Sequence, residues 1–508
     1  MTRPIQKALI SVFSKDGLAP IVEDMHAQGI ELISTGGTKR FIEALGIPVQ
    51  AVETLTNYPA ILDGRVKTLH PNIFGGILAR DTEDHQQQLD TYDIPSVDCV
   101  VVDLYPFEET IAQDGVSEQD IVEKIDIGGI ALIRAAAKNF ERTLVIPSRA
   151  DYATLAAVIK QGGETDLDLR KSQAIRAFDV SSHYDSAIYR HFALSLEKES
   201  SFKSSVAGVQ SLRYGENPHQ SARFFGPFED KFEQLNGKAL SYNNLVDLDA
   251  AFHLMREFVS EDPTVAVLKH TNPCGVATRK TIKSAWEDAL AGDPISAFGG
   301  VIISNRPIDL STAQAVDEIF YELLIAPDFD SDALEYLKKK KKRILLKCKD
   351  WSAETRQFKS LLNGVIEQDM DLKTHQRADW TCATERQASD QEMSDLMFAN
   401  KVVKHLKSNT IALVKNDQLL GMGCGQTSRV DALQQAIHKA NKLGFDLQGA
   451  VMASDAFFPF PDCVEIADAE GIRAIVQPGG SIKDKDSIAY CEGHDQAMYM
   501  TGIRHFKH

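Results

Sequence analysis

The sequence lacks a long apolar run, and its seven cysteines are few and scattered. A helix that spans a bilayer needs about 20 consecutive apolar residues, and the start of the chain also lacks the apolar stretch of a signal peptide. We therefore expect no membrane association and a cytoplasmic location. The cysteines never stand in CxxC spacing, which argues against a disulfide framework or a zinc ribbon and predicts reduced thiols; they are Cys99, Cys274, Cys348, Cys382, Cys424, Cys463 and Cys491.

Positive charge is also scarce, because 55 Lys and Arg stand against 72 Asp and Glu, for a formal net charge of −17. Nucleic-acid binders hold the phosphate backbone with clustered Lys and Arg, so we expect no nucleic-acid partner. The dense basic run from Lys338 to Arg343 is more typical of a solvated helix end or loop. An acidic protein can still bind a small anion where its cations share one cleft.

Several nucleotide and metal motifs are missing as well. The chain has no GxxxxGK[ST] and no GxGxxG, so nucleoside triphosphate and dinucleotide binding lose their main support. A zinc hydrolase of the deaminase type needs an HxE pair and a PCxxC pair. No histidine is followed two places on by Glu, and Pro273-Cys274 is followed by no second cysteine at that spacing. We expect no catalytic metal.

The first two hundred residues alternate strand-like and helix-like segments. Leu18, Ile21, Val22 and Met25 form the apolar stripe of a helix, and CVVVDLY is apolar enough for a strand that is covered on both faces. This alternation predicts an α/β layer with a parallel sheet, whose ligands bind at the carboxyl ends of the strands. The predicted strands are Lys7–Phe13, Ile30–Thr35 and Cys99–Tyr105.

A domain boundary is predicted near residues 195–210, where SLEKESSFKSSVAG is polar and lacks periodicity. Beyond it, strand-like runs recur between helical patterns, although no clean sequence repeat is visible. Two further α/β lobes fit the length of 508 residues, at roughly 150 residues per domain. We place the connection between these lobes near residues 338–375.

The polar motifs of the N-terminal part fall where predicted strands end. Ser34 to Thr38 (STGGT) follows a strand and opens a helix, where glycines and free amides favour an anion; a plain turn is the alternative. Lys15 and Arg65 can bring positive charge to the same edge. GRVKTLHP, LYPF, IDIGG and RAAAKN follow in the chain, and their plain alternatives are a strand-end tyrosine for Tyr105 and a surface helix residue for Lys138.

These four motifs have the order and spacing of inosine monophosphate cyclohydrolase, which the segment 1–200 resembles. The resemblance implies a fold like methylglyoxal synthase, with Lys67, Tyr105, Asp126 and Lys138 around the reacting amide. It implies that the nucleotide phosphate and sugar are held by Ser11, Ser14, Lys15, Thr35, Gly36, Gly37, Thr38, Arg65, Thr68 and Asp103.

Two positions depart from that family. It usually reads SVSDK where this chain has Ser11-Val12-Phe13-Ser14-Lys15, and it usually has Asn where Asp103 stands. The lysine is kept, and the extra carboxylate could weaken the binding of an anion. Cyclisation itself needs attack of the carboxamide nitrogen on a formyl carbon and loss of water, for which cations, a phenol and an acid are suitable groups.

The C-terminal part carries LRYGENPHQ, SYNN, KHTNPCG, SAFGG, GCGQTSR and SDAFFPF. A Lys-His pair at a strand end, Lys269-His270, is suited to acid–base chemistry, with a structural role as the alternative. The aromatics of SDAFFPF fit binding or core packing equally.

These motifs resemble aminoimidazole carboxamide ribotide (AICAR) transformylase. The resemblance covers 201–508 and implies two lobes like cytidine deaminase, with 10-formyltetrahydrofolate as the formyl donor. It assigns His270 as the base that takes the proton of the 5-amino group and Lys269 as stabiliser of the transition state. It places the folate at Asp462 and Ser481, and the ribotide at Arg213, Tyr214, Asn244, Gly299, Glu322, Asn416, Phe457 and Arg504. Glu322 replaces an Asp found in some members.

The two resemblances together imply a bifunctional enzyme of purine synthesis. It would formylate AICAR and close the product, formyl-AICAR (FAICAR), to inosine monophosphate, as a homodimer with transformylase sites between subunits. Two other hypotheses stay open at this stage. One is a catalytically silent nucleotide-binding protein that kept the fold, and the other is an enzyme with one competent half.

Overall fold

The computed structural model describes residues 2–196, 198–374 and 376–508. The chain divides into two compact units, Met1–Ser205 and Val206–His508, here called the N-terminal and C-terminal units. No helix within the described ranges is long and apolar enough to cross a membrane.

The N-terminal unit is built on a five-stranded parallel sheet in the order β4-β3-β2-β5-β6. Its strands are β1 Arg3–Pro4, β2 Lys7–Val12, β3 Glu31–Ser34, β4 Gln50–Ala51, β5 Cys99–Asp103, β6 Leu144–Ile146 and β7 Glu164–Thr165. Its helices are α1 Leu18–Ala27, α2 Gly36–Ala44, α3 Val52–Thr56, α4 Pro71–Leu78, α5 Glu83–Thr91, α6 Phe107–Ile111, α7 Glu118–Val122, α8 Gly128–Lys138, α9 Tyr152–Lys160 and α10 Leu167–Ser195.

Both faces of this sheet are covered, as the apolar strands predict. Ala8 and Ile10 of β2 pack in one core cluster and Leu9 in another, because successive side chains of a strand point to opposite faces. The predicted stripe of α1 is confirmed, since Leu18, Ile21, Val22 and Met25 are its buried residues. We call the edge where β2, β3, β5 and β6 end the carboxyl edge.

The C-terminal unit is built on a twelve-stranded mixed sheet in the order β10-β15-β14-β13-β11-β12-β20-β19-β21-β22-β23-β18. Its strands are β8 Val209–Leu212, β9 Ala222–Phe225, β10 Phe232–Asn236, β11 Thr264–Lys269, β12 Asn272–Thr278, β13 Gly300–Ser304, β14 Tyr321–Ala326, β15 Ile344–Cys348, β16 Arg356–Leu361, β17 Gly364–Asp369, β18 Thr381–Cys382, β19 Ile411–Lys415, β20 Gln418–Gly423, β21 Val451–Ser454, β22 Ala474–Gln477 and β23 Ala497–Met500. Its helices are α11 Phe228–Lys231, α12 Tyr242–Arg256, α13 Ile282–Ala291, α14 Leu310–Val316, α15 Ser331–Leu337, α16 Asp390–Val403, α17 Arg429–Lys442, α18 Asp462–Ala469 and α19 Asp484–Gly493.

The strand order is mirrored about the contact between β12 and β20, where Ala277 pairs with Gln418. The two predicted α/β lobes are therefore present, and they repeat one succession of elements: helix, hairpin, helix, strand, helix, strand, helix, strand. The first lobe is residues 242–348 and the second is 390–500. The sequence shows no clean repeat because two lobes of this kind need only share patterning and turn positions.

The connection between the lobes starts later than predicted. Ile344–Cys348 is a buried strand of the first lobe, so the connection begins after Cys348 and includes the hairpin β16–β17. The basic run is a helix end, as expected, because Lys338 is the C-cap of α15. Arg343 is buried rather than solvated, since its guanidinium pairs with Asp317 and lies 4.4 Å from the Tyr321 ring centre.

Candidate functional sites

The STGGT segment forms the start of α2 at the carboxyl edge. Gly36 has a left-handed backbone (φ 52°), and a Cβ built on it would lie 3.3 Å from the Lys67 ammonium. A Cβ on Gly64 would lie 2.7 Å from the same nitrogen. Glycines at both positions therefore let Lys67 approach the helix start, where backbone N–H groups and the helix dipole also favour an anion.

Hydroxyl groups around this helix start have different roles. Thr35 is buried, and its Oγ1 has no hydrogen-bond partner among the residues that the structure describes. Because buried polar groups are normally paired, this hydroxyl is available to a ligand. Thr38 is instead part of the framework, since its Oγ1 donates to Val12 O (3.0 Å) and accepts from Val12 N (3.2 Å). Thr68 is buried against Gly128, the first residue of α8.

The loop after β2 holds Lys15 against its own backbone. The Lys15 ammonium donates to Val12 O (2.6 Å) and Phe13 O (2.7 Å), and burial lowers its pKa while Asp103 partly offsets that effect. The Ser14 amide donates to the Asp103 carboxylate at 2.9 Å. The two positions that differ from the family sequence are thus in contact, since Asp103 holds the backbone of the SVFSK loop. Ser11 is the next-to-last residue of β2.

Arg149 is a cation at this edge that sequence reasoning missed. Its guanidinium donates to Ser14 Oγ (3.1 Å) and to the Asp16 carboxylate (3.0 Å). The signal was available, because Arg149 follows β6 just as Ser14 follows β2 and both strands belong to one parallel sheet.

Aromatic and acidic groups occupy the next part of the carboxyl edge. The Tyr105 ring packs against Phe13 in a tilted arrangement, with centroids 5.1 Å apart, and the Lys124 ammonium lies 5.7 Å and 5.5 Å from the two ring centres. Asp126 precedes α8, and its Oδ1 accepts from Gly129 N at 2.6 Å. Burial raises the pKa of Asp126, although backbone N–H donors from Gly129, Tyr105 and Ile130 oppose the rise. A carboxyl group with a raised pKa is suited to proton donation.

Two predicted cationic residues of the N-terminal unit, Arg65 and Lys138, are exposed. Arg65 is exposed and pairs with Glu123. Lys138 is exposed at the last residue of α8, ten residues beyond Gly128, and therefore about 15 Å along the helix from Gly128, which follows Asp126. The structure does not bring Lys138 to the carboxyl edge of its own chain.

The Lys269-His270 pair lies in a tight turn between β11 and β12. His270 and Thr271 both have left-handed backbones (φ 49° and 66°), and Lys269 pairs with Asn272 across the turn. The Lys269 ammonium donates to Phe298 O at 2.6 Å, and a Cβ on Gly299 would lie 3.1 Å from it. His270 is exposed. The turn opens on a cavity of about 290 Å³, lined in part by Lys269, His270, Cys274, Asp293, Ser296 and Lys439.

We call the sheet edge with this turn the His270 edge. Gly299 and Glu322 lie there, because β13 begins beside Leu268 and β14 begins beside Gly300. Glu322 pairs with the Lys238 ammonium at 2.6 Å. The second lobe continues the same edge, since the Cys424 thiol, directly after β20, lies 3.4 Å from the Asn272 side-chain oxygen and β21 ends beside Ile411.

The segments around the N-terminus of α12 are tied to the same region. The Arg213 guanidinium lies 5.5 Å from the Tyr214 ring centre. Asn243 donates to Glu216 O at 3.2 Å, which fastens the LRYGENPHQ loop to α12. Asn244 is buried and forms a capping box with Ser241, whose amide donates to the Asn244 side-chain oxygen at 3.1 Å. That oxygen is engaged in capping the N-terminus of α12.

The remaining predicted ligands follow the ends of β21, β22 and β23. Phe457 is 38% exposed and Phe460 57%, whereas Phe458 is fully buried, so SDAFFPF supplies both surface rings and core. Asp462 begins α18, and Ser481 precedes α19. Arg504 lies on the C-terminal segment, which is held where His505 N donates to Asp455 O at 3.0 Å.

Asn416 lies at the opposite edge of the sheet. It occupies the β19–β20 turn, beside the far end of β12, where Thr278 N donates to Asp417 O at 3.0 Å. The seven residues of β12 separate this turn from His270 by about 20 Å, at roughly 3.3 Å per residue. One chain therefore does not place Asn416 in the His270 site.

A sheet edge with a lysine beside a helix start and a half-buried acid, followed by a duplicated α/β unit with an exposed Lys-His turn, is typical of an enzyme with two separate reaction centres. Comparison with known families agrees with this class. The family model described as AICARFT/IMPCHase bienzyme matches residues 136–439, and the MGS-like domain model matches residues 17–131. The chain belongs to the AICARFT/IMPCHase bienzyme family, and the predicted methylglyoxal-synthase-like fold of its N-terminal part is confirmed.

Individual relatives match over the whole length. The chain is 55% identical to the bifunctional purine biosynthesis protein PurH of Bacteroides thetaiotaomicron, over 100% of this chain and 99% of that protein. It is 46% identical to PurH of Caldicellulosiruptor saccharolyticus, over 99% of this chain and 100% of that protein. A solved structure titled "Crystal structure of ForH" is 33% identical over 37% of this chain and 98% of that one, with a TM-score of 0.34, which is too low to assign a shared fold.

Proposed function

We propose that this chain catalyses the last two steps of inosine monophosphate synthesis, with formyl transfer in 201–508 and ring closure in 1–200. The observation that supports this most is the presence of both sets of reactive groups in one chain of the bienzyme family. Asp126, Tyr105 and Lys67 lie at the carboxyl edge, and Lys269 and His270 lie in the exposed turn of the C-terminal unit.

In the proposed formyl transfer, the 5-amino nitrogen of AICAR attacks the formyl carbon of 10-formyltetrahydrofolate. That amine is a weak nucleophile because its lone pair is delocalised, so removal of its proton by His270 assists the attack. Negative charge develops on the formyl oxygen, and the carbonyl forms again when the bond to the folate nitrogen breaks. That nitrogen leaves with the proton that His270 has taken from the amine. Lys269 stabilises that oxygen, since its bond to Phe298 O uses one of three N–H donors. We assign the folate to Asp462 and Ser481.

In the proposed ring closure, the carboxamide nitrogen attacks the formyl carbon, and the resulting hydroxyl leaves as water. Asp126 donates the proton that the leaving hydroxyl needs, in keeping with its raised pKa. Lys67, the unpartnered Thr35 hydroxyl and the amides at the start of α2 hold the phosphate. Tyr105 and Phe13 give the five-membered ring an aromatic surface.

A coupled assay tests the proposal. Purified protein supplied with AICAR and 10-formyltetrahydrofolate is expected to form inosine monophosphate, measured by absorbance and chromatography. Accumulation of formylated ribotide without ring closure would show that only the C-terminal unit is competent. Absence of formyl transfer would contradict the proposal and favour a silent nucleotide-binding protein.

We further propose a homodimer in which each formyl-transfer site combines His270 of one subunit with Asn416 of the other. Its support is the separation of about 20 Å between the two turns in one chain. We also propose that Lys138 acts in cyclisation, and that it reaches the site from a neighbouring copy of the chain. None of the seven cysteines, all within the described residues, forms a disulfide, and this supports the proposal of a cytoplasmic location.

Mixing two inactive variants tests the shared site. His270→Asn and Asn416→Ala are each expected to lack formyl transfer. After subunits are exchanged between them, about half of all dimers are heterodimers, and each heterodimer has one intact site of two. The mixture should therefore regain about a quarter of the wild-type activity. The rate is measured before and after exchange of subunits, with each variant incubated alone as the control. Exchange that is verified by mass spectrometry without recovery of activity would contradict the shared site.

A further inference from the structure

The turn that carries His270 is in a conformation that its residues do not favour. Thr271 is β-branched and has φ 66°, and the neighbouring His270 has φ 49°. Outside glycine, left-handed backbone is uncommon, and for a β-branched residue it is a genuine outlier. Such a turn persists only where the surrounding structure holds it. The contacts of the two residues therefore determine where the imidazole lies.

Asp247 on α12 contacts the backbone of Thr271 from outside the turn. Its Oδ1 accepts from Thr271 N at 2.8 Å. Two further bonds to these residues are internal to the turn: Thr271 Oγ1 donates to His270 O (2.6 Å), and Asn272 Nδ2 donates to the same oxygen (3.0 Å). Burial raises the pKa of Asp247, while the Thr271 bond and the charges of His270 and Lys269 oppose the rise.

The equivalent turn of the second lobe is also left-handed and also donates backbone N–H groups to an aspartate of the preceding helix. Asn416 and Asp417 also have left-handed backbones (φ 51° and 54°), and their amides donate to the two oxygens of Asp395 at 2.9 Å and 2.6 Å. Asp247 stands six residues after Ser241, the N-cap of α12, and Asp395 stands six residues after Ser389, the N-cap of α16. Both serines form capping boxes.

We infer that Asp247 is a positioning residue for formyl transfer, which holds His270 in its reactive place by fixing the left-handed turn from α12. The repeat supports a role in the turn itself, because Asp395 accepts from Asp417 N as Asp247 accepts from Thr271 N, and it does so at a turn that has no histidine. The inference rests on the proposed function only in taking His270 as the base. Asp247 was not among the residues that the sequence indicated, since its partner is a backbone amide 24 positions away.

Three substitutions separate positioning from charge. Asp247→Ala is expected to lower kcat of formyl transfer about 30- to 100-fold, because a small misplacement of a reacting group is enough for such a loss. Asp247→Asn keeps an oxygen acceptor for Thr271 N and should stay within about threefold of wild type. Adding Thr271→Gly to Asp247→Ala should recover about tenfold, because glycine takes a left-handed backbone without steric cost.

The matched control is Asp249→Asn, which removes the same charge from an exposed position two residues further along α12 and should leave kcat unchanged. Ring closure of supplied formylated ribotide should be unaffected in every variant. Asp247→Ala within twofold of wild type, or Asp247→Asn as impaired as Asp247→Ala, would overturn the inference. A loss shared equally by ring closure would overturn it as well.

Hydrogen exchange gives a readout that does not depend on the chemistry. Exchange of the segment 268–274, followed by mass spectrometry, should be at least about tenfold faster in Asp247→Ala than in wild type or Asp249→Asn. If wild-type protein transfers no formyl group, the proposed function fails while this measurement still decides whether Asp247 holds the turn. Equal exchange rates in all three proteins would refute the inference.

Discussion

Replacing His270 with Asn is expected to lower formyl transfer about a thousandfold and to leave ring closure unchanged. A positioned general base contributes about 10² to 10⁴ in rate, and the delocalised amine of AICAR depends on one strongly. Asn is the preferred replacement because it tolerates the left-handed backbone of this position (φ 49°). The chain itself has Asn416 at the equivalent turn of the second lobe.

Both half-reactions are measured on the same preparation, with 10-formyltetrahydrofolate and AICAR for the first and supplied formylated ribotide for the second. His438→Asn, at an exposed position of α17, is the matched control and should retain both activities. Formyl transfer within threefold of wild type would exclude His270 as the base. Loss of both reactions in His270→Asn would contradict two separate sites.

The layers of the fold could be predicted well from the pattern of apolar residues. The apolar run CVVV is a strand buried on both faces, and the stripe from Leu18 to Met25 is the buried face of α1. These patterns report on local burial, which is what a short segment can encode. The duplication of the C-terminal unit was not visible, because its signature is two capping serines and two aspartates at matched spacing.

The sequence indicated residue types for the candidate sites but not where the folded chain places each of them. Motif spacing does not reveal which end of an element a side chain occupies, so Lys138 and Asn416 were grouped with residues that lie across a helix or a strand from them. Thr38 and Asn244 were read as ligands, yet their side-chain oxygens complete the framework. Such roles depend on backbone partners that only the folded chain brings close.

Replacing Asp126 with Asn is expected to lower ring closure about 10²- to 10³-fold and to raise the melting temperature at neutral pH. The rate falls because the variant has no proton to donate to the leaving hydroxyl. Stability rises because burial makes the charged carboxylate unfavourable in the native state, as its raised pKa shows. Asn still offers an oxygen to Gly129 N, so the start of α8 is kept.

The pH dependence of this stability difference identifies its cause. A native-state pKa above the unfolded-state value means that the folded protein binds more protons, so acidification relieves the cost of the Asp126 charge. The difference in melting temperature between Asp126→Asn and wild type should therefore shrink as pH falls through the raised pKa. Asp114→Asn, at an exposed position of the same unit, should show no such difference at any pH. A constant difference across the pH series would mean that packing, and not the buried charge, separates the two proteins, and Asp126 would lose its assignment as the acid.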